Sequence, residues 1–518
     1  MESGGLYLTA EEAARAGARL VFMSTDLVFD GEVTLAVNGS INVSGRGYLG
    51  ASNSSFPGLA GQTAPGLAGA SGAAGSYGGL GGSMGGTPNA TYGSTTAPTH
   101  LGSGGGRTST GNFVNGGSGG GRVDITAGNV VISGTIAADG ASGANAGAGS
   151  GGSVRLSLLP GGTVSGTGVI QANGGSSSTA NTGGGGGGRV AVLDFAGMSL
   201  SSNNVRAFPG DAASDGQAGT VYLESAAQAD GQGDLIINAG NVAGARPVEL
   251  DNAMAGFNSI LVRNGRVVVP LGADVAVPLI LQAGGLVTNQ GTLTLGEFSP
   301  ANITAGSFHN TTTGILNVLS EQITIGSGVT LTEDGDLRGP AGTPDTLSAF
   351  TVNSGGVVTH SQGLAAGLSF AVTGTLTVNA GGFISVSGRG LLGAGQAGNI
   401  SFTGQTIEGL AGSTGNAGGS HGGLGGAGSG GVPNATYGSE EDPVHLGSGG
   451  ARMPGQFDRI FGSQRSDADD QRHSALDPVV RERHELDALF PGLGVVFPRG
   501  SGEHDAIDAT DDEVLDPR

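Results

Sequence analysis

The sequence predicts an all-β fold, a parallel β-helix (β-solenoid) with glycine-rich loops, and three observations predict it. First, one short phrase recurs four times between Gly119 and Gly240, as GGGRVDITA, GSGGSVRLSL, GGGGRVAVL and GQAGTVYLES. Its lead valines, Val123, Val154, Val190 and Val221, stand 31, 36 and 31 residues apart. Second, another phrase runs out of step with the first, around Ile136, Ile170 and Val205, at steps of 34 and 35 residues. Each unit therefore reads as strand, turn, strand and glycine-rich loop. A unit of this length cannot bury its own apolar face and stacks on its neighbours. Third, glycine supplies 108 of the 518 residues, aromatics are sparse and tryptophan is absent. An ordinary globular core needs large side chains to fill its volume, whereas a thin stack of Val, Ile and Leu does not.

Five segments are expected. Residues 1–28 form a lead-in with a short capping helix, and 29–232 form a glycine-rich solenoid copy. Residues 233–374 form plainer rungs, 375–452 a truncated second copy, and 453–518 an acidic, disordered tail. The helix is placed at 9–19, where Thr9 and Glu12 have capping-box spacing and Glu11 stands four residues before Arg15. A helix there would cover the open edge of the first rung.

Between Gly45 and Arg122 glycine falls on every third position, at Gly66, Gly69, Gly72, Gly75, Gly78 and Gly81, and again at Gly79, Gly82 and Gly85. That period matches a helix of the polyproline-II type, here polyglycine-II-like, in which glycine lets backbones pack against one another. A flexible linker is the competing reading, but linkers hold no strict period and rarely carry residues such as Leu67, Tyr77 and Leu80. A collagen triple helix is disfavoured by the short run and the scarcity of proline.

After the ladder the chain reads as plain strands, among them LIIN (235–238), ILVRNGRVVV (260–269), LILQ (279–282), TLTLG (292–296), ILNVL (315–319), QITIG (322–326) and GVVTH (356–360). Their spacing also suits a sandwich; the preceding ladder favours continued stacking, at about 4.8 Å per rung.

Then the opening returns. TLTVNAGGFISVSGRGLLG (375–393) echoes TLAVNGSINVSGRGYLG (34–50). PNATYGS occurs at 88–94 and 433–439, and HLGSGG at 100–105 and 445–450, both at an offset of 345 residues. The second copy stops at Arg452, the counterpart of Arg107, so a truncated or rearranged reading frame is expected. Within the tail, 477–490 reads as a helix capped by Asp477, with Pro478 at its first position.

The phrases GTLTVNAGGFISVSGRG, APTHLGSGGG, GSGGSVRLSL, GGGGGGRVAVL and GQAGTVYL resemble those of large glycine-rich repeat proteins of the bacterial surface. The likeness is to parallel β-helices of the filamentous-haemagglutinin-like adhesin and autotransporter-passenger kind, over residues 29–452. It is a likeness of repeat grammar. It implies an extracellular or cell-surface location, a structural or adhesive role and no catalytic residue.

Charge and composition narrow the partners. A formal charge of −21, with 21 arginines and no lysine, argues against nucleic acid and anionic membrane. Without cysteine there is no disulfide scaffold and no thiolate metal site. No run reaches the roughly 18 apolar residues of a membrane span, so no membrane insertion is expected within this chain. Without lysine, a phosphate-binding P-loop is excluded.

Parallel β-helices also host polysaccharide lyases and hydrolases, which need carboxylates gathered on one face. Outside the tail the one tight group is Glu333, Asp334 and Asp336 in TEDGD, which reads first as a polar turn and second as a catalytic or calcium site. His100 and His445 precede LGSGG in both copies with no second ligand recurring beside them, so each is expected to fix a loop by a hydrogen bond. Asn89 and Asn434 stand in N-A-T sequons. Thr-x-Thr pairs at Thr292/Thr294, Thr330/Thr332 and Thr375/Thr377 raise ice binding, against the plain reading of threonine as a good strand residue. The expected function is a non-enzymatic structural or adhesive fragment of a bacterial surface or secreted protein, facing an extracellular surface, polysaccharide or host ligand. A carbohydrate-active β-helix enzyme and an ice-binding solenoid are the alternatives. No catalytic, metal or cofactor-binding residue, and no cofactor, is assigned.

Overall fold

A computed structural model of the chain describes residues 24–35, 38–52, 58–107, 115–178, 182–340, 346–428 and 430–453. The expected helices at 9–19 and 477–490, and the tail, lie outside them. The described residues are all-β, with mostly parallel sheets and two short 3-10 turns, Ser202–Asn204 and Asn252–Gly256.

The four lead valines are in register on consecutive parallel strands. Val123 lies opposite Val154, Val154 opposite Val190, and Val190 opposite Val221. All four are buried. The out-of-step phrase makes a second column, Ile41–Ile136–Ile170–Val205, in a separate four-stranded sheet. The alternation of apolar and polar residues sends the apolar set to one side, and the columns meet in one core with Ile125, Leu156 and Val192.

The glycine loops wall this core by backbone-to-backbone contact. Gly120 N donates to Ser150 O, Gly151 N to Gly186 O, and Gly186 N to Gly75 O, at 2.9, 3.0 and 3.0 Å. A Cβ on Gly186 would stand 1.9 Å from Gly79 O, and one on Gly82 1.9 Å from Ser214 O. Glycine is required here because the neighbouring carbonyl occupies the side-chain position. The triplet run is thus ordered against its neighbours. It is not uniform, since Gly66, Gly72 and Gly85 have positive φ (84°, 56° and 86°) and turn the chain.

The sequence reading did not anticipate a reversal after the fourth phrase. Strand Thr220–Ser225 pairs with Asp234–Asn238 antiparallel, Val221 opposite Ile236. The turn between them is closed by Gly233 N donating to the Tyr222 hydroxyl at 2.7 Å, and by Gly231 at φ 78°. Strand Asp234–Asn238 is buried on both faces. Ile236 joins the first core, while Leu235 and Ile237 join a second core that runs to Val358.

Beyond the reversal the chain moves among four sheets. ILVRNGRVVV, read as one strand, is two, Ser259–Arg263 and Arg266–Val269, in different sheets. Asn264, at φ 45°, makes the corner. Val267, Val287, Phe308, Leu331 and Val358 form one buried in-register column. Val275, Leu293, Leu316 and Leu337 form another.

The second copy keeps the loop-closing bonds of the first. Asn89 Oδ1 accepts from Ser76 N, and Asn434 Oδ1 from Ser420 N, both at 2.8 Å. The Tyr92 hydroxyl donates to Leu101 O at 2.6 Å and the Tyr437 hydroxyl to Leu446 O at 2.5 Å.

Candidate functional site

The acidic group in TEDGD spans the end of strand Val329–Glu333 and the start of Asp336–Arg338. Successive residues of a strand point to opposite sides, so its carboxylates diverge. Glu333, 2% exposed, points into the core. Its Oε1 accepts from Asn310 Nδ2 at 2.7 Å and from Gly335 N at 3.0 Å. Asn310 Oδ1 accepts from Asn289 Nδ2 at 2.8 Å. Asn289, Asn310 and Glu333 hold one register position on successive strands, a buried polar column beside the apolar ones. Glu333 Oε2 is buried without a hydrogen-bond partner among the described residues. Burial pushes the Glu333 carboxyl up to about 8, assisted by the charges of Asp334 and Asp336 and opposed by the bonds from Asn310 and Gly335. It is therefore mostly protonated at neutral pH.

Asp334 faces the other way. Its Oδ2 lies 2.8 Å from His309 Nε2, and its Oδ1 accepts from Ser361 N at 2.6 Å. Burial works to raise this carboxyl, but the bonds from Ser361 and His309 outweigh it and hold Asp334 below its ordinary value. Ser361 Oγ sits 3.5 Å from the same His309 Nε2. Serine, histidine and aspartate thus meet, but on a single ring nitrogen. A triad that activates a serine uses one nitrogen for the carboxylate and the other for the hydroxyl. Asp336 pairs with Arg338 at 2.7 Å. The three acids are each held by separate partners, and no group of three or more His, Cys, Asp or Glu able to hold a metal is found among the described residues.

Two grooves flank the stack. One of about 710 Å³ follows the turns at Asn241, Asn264, Gly284, Gly306 and Gly328, with Arg266 the one charged residue in its lining. The other, about 600 Å³, lies at the reversal and takes in Asp234, Ser259 and Gln282. Neither includes the TEDGD acids.

In the lobe formed by the first copy, the hydrogen bond at His100 is made by its main chain and not, among the described residues, by its ring. Its imidazole packs edge-on against Tyr92, centroids 5.8 Å apart, and His445 packs likewise on Tyr437 at 6.1 Å. The bond in this loop goes to the main chain, with Ser153 Oγ donating to His100 O at 2.5 Å. Arg189 is buried over the Tyr77 ring, with bonds to Tyr92 O, Thr95 and Thr220. The sequons are also structural: Asn89 and Asn434 are both buried, and their carboxamides close the loop. The recurrence of PNATYGS in both copies was the signal for this. The Thr-x-Thr pairs lie in three different sheets.

No family model, curated protein or solved structure matches the chain. What fold and site define together is an all-β protein of parallel strands stacked in register, with glycine loops packed on one side of it.

Proposed function

We propose that the chain is a β-solenoid serving as a non-enzymatic structural and adhesive part of a bacterial surface or secreted protein. The observation that carries this reading is the in-register column Val123–Val154–Val190–Val221, together with the column from Val267 to Val358 in a separate sheet beyond the reversal. Stacking of this kind extends a chain in one direction and offers long lateral faces. The dispersal of the TEDGD carboxylates among Asn310, His309 and Arg338 supports a structural role for them over catalysis. The partner is an extracellular surface, a polysaccharide or a host ligand.

The test is adhesion. Beads coated with the full chain are offered a panel of immobilised polysaccharides and extracellular-matrix proteins, with albumin-coated beads as control. Selective retention on at least one surface, with the polysaccharide left uncleaved, is expected. Retention no greater than albumin across the panel, or release of oligosaccharide, refutes the reading.

A further inference from the structure

The two copies of the glycine lobe differ in what covers them. In the first copy, a Cβ on Gly78, Gly82 or Gly102 would stand 2.2, 1.9 or 2.3 Å from Gly188 O, Ser214 O or Gly151 O, all in the loops of the four-phrase ladder. Their counterparts in the second copy, Gly422, Gly426 and Gly447, have nothing within 4 Å. The lobe keeps the paired bonds of Asn89 and Asn434 and of Tyr92 and Tyr437, with His421 standing where the first copy has Tyr77. Among the described residues, no ladder covers the second lobe.

The strand beside the lobe shows the same difference. Val43 is 1% exposed, and its carbonyl accepts from Gly121 N of the ladder at 2.8 Å. Its counterpart Val386 is 47% exposed, next to Phe383 at 57%. Strand Ser24–Leu35 of the first copy pairs in parallel with Arg122–Ile132. Its counterpart Ala371–Val378 pairs only with Thr346–Val352 among the described strands, which leaves its other edge open. Open edges of this kind accept an added strand.

We propose that residues 371–452 are a docking face for a glycine-led parallel strand of the GGGRVDITA type, carried by a separate polypeptide whose ladder is uncovered. The first copy supplies the template: Gly47 N donates to Gly119 O, Gly119 N to Tyr48 O, and Gly116 N to Ala51 O, at 2.7, 2.9 and 2.9 Å. A second copy of this chain does not fit the role, because its ladder is already covered by its own strand Ser24–Leu35 and by Val43, Gly47, Tyr48, Ala51 and Gly102. Residues 453–518 do not fit it either, since their six glycines never stand side by side. This inference is independent of the adhesive reading.

The test is the full chain titrated into a fluorescein-labelled peptide with the sequence of residues 116–132, followed by anisotropy. Saturable binding is expected, with none for a scrambled peptide. Gly393→Val should weaken it at least tenfold, because its counterpart Gly50 lies 2.0 Å, measured from a built Cβ, from Gly116 O, whereas at Gly393 the nearest atom is 3.5 Å away. Val386→Asp should do the same from an exposed position. Gly296→Val, remote and with nothing within 4 Å, should leave affinity unchanged. Far-UV circular dichroism identical to the parent shows that each variant is folded, and Val386→Asp serves if Gly393→Val does not fold. No saturable binding, or binding indifferent to Val386→Asp, overturns the proposal. So does self-association of the full chain that Val386→Asp abolishes, which would assign the face to a second copy.

Discussion

Glu333 makes the folded chain sensitive to base. Its carboxyl has an ordinary value of 4.5 and is pushed up to about 8 by burial, so the folded state holds the proton more tightly than the unfolded one. Stability from this group is complete below the unfolded value and is lost as pH climbs to the folded one, at about 1.4 kcal/mol per pH unit. Between pH 5 and pH 8 the loss comes to roughly 3–4 kcal/mol, a large share of the 5–15 kcal/mol that holds a typical domain folded. Glu333→Gln removes the titration and keeps an oxygen to accept from Asn310 and Gly335. Its amide nitrogen then takes the place of Oε2, which has no partner, at a fixed cost of about 1–3 kcal/mol. Relative to the parent, the variant should therefore gain about 3–4 kcal/mol between pH 5 and pH 8. Urea unfolding followed by far-UV circular dichroism at pH 5, 6, 7 and 8 measures this. Parallel stability curves for parent and variant would show that Glu333 is not held neutral in the column.

Four further outcomes are expected. Val190→Asp places an unpaired charge in the valine column and should cost about 3–5 kcal/mol, lowering the urea midpoint; an unmoved midpoint would take Val190 out of the core. Gly186→Val should prevent folding of the lobe, since its Cβ meets Gly79 O at 1.9 Å, whereas Gly422→Val should shift the thermal midpoint by less than a degree or two. Asn310→Ala takes one hydrogen bond from Asn289 Nδ2, which keeps Ile315 O, and one from Glu333 Oε1, which keeps Gly335 N, and should cost about 1–3 kcal/mol in urea titrations. Asp334→Asn should lower stability at neutral pH and not in strong acid. A carboxyl held below its ordinary value supports the fold above that value and ceases to as pH falls through the lowered one. A loss that persists unchanged in acid would contradict this.

The stacked half of the fold was legible because its repeat is carried by side chains that stacking itself demands. Val123, Val154, Val190 and Val221 must occupy one column, so their spacing survives loops of different length. The glycine period was legible for the same reason: a Cβ at Gly82 or Gly186 would collide with a carbonyl. Beyond Gly233 the spacing of the paired strands was missed. The column Val267–Val287–Phe308–Leu331–Val358 advances by 20, 21, 23 and 27 residues, and its members alternate with Thr, Asn and Ser like any half-buried strand. The reversal was hidden because its turn is closed by side-chain bonds, Gly233 N to the Tyr222 hydroxyl and Gly231 N to Glu224, that follow no repeat of the phrase. The acids of TEDGD were visible as a cluster. Their divergence follows from strand alternation and was legible in principle, but the neutral Glu333 comes from burial in a column shared with Asn289 and Asn310, 44 and 23 residues upstream.

Because the chain has no cysteine, a pair of introduced thiols reports register without background. Ser157 and Leu193 lie opposite one another on adjacent strands, while Thr126 is opposite Ser157 and so two strands from Leu193. Adjacent parallel strands bring Cα atoms within the 4.4–6.8 Å reach of a disulfide, and a two-strand separation of about 9.6 Å does not. Mild oxidation of the full chain should therefore close Ser157→Cys/Leu193→Cys to completion and leave Thr126→Cys/Leu193→Cys open. Equal closure of both pairs, or closure of the second alone, would contradict the stacking on which the fold rests.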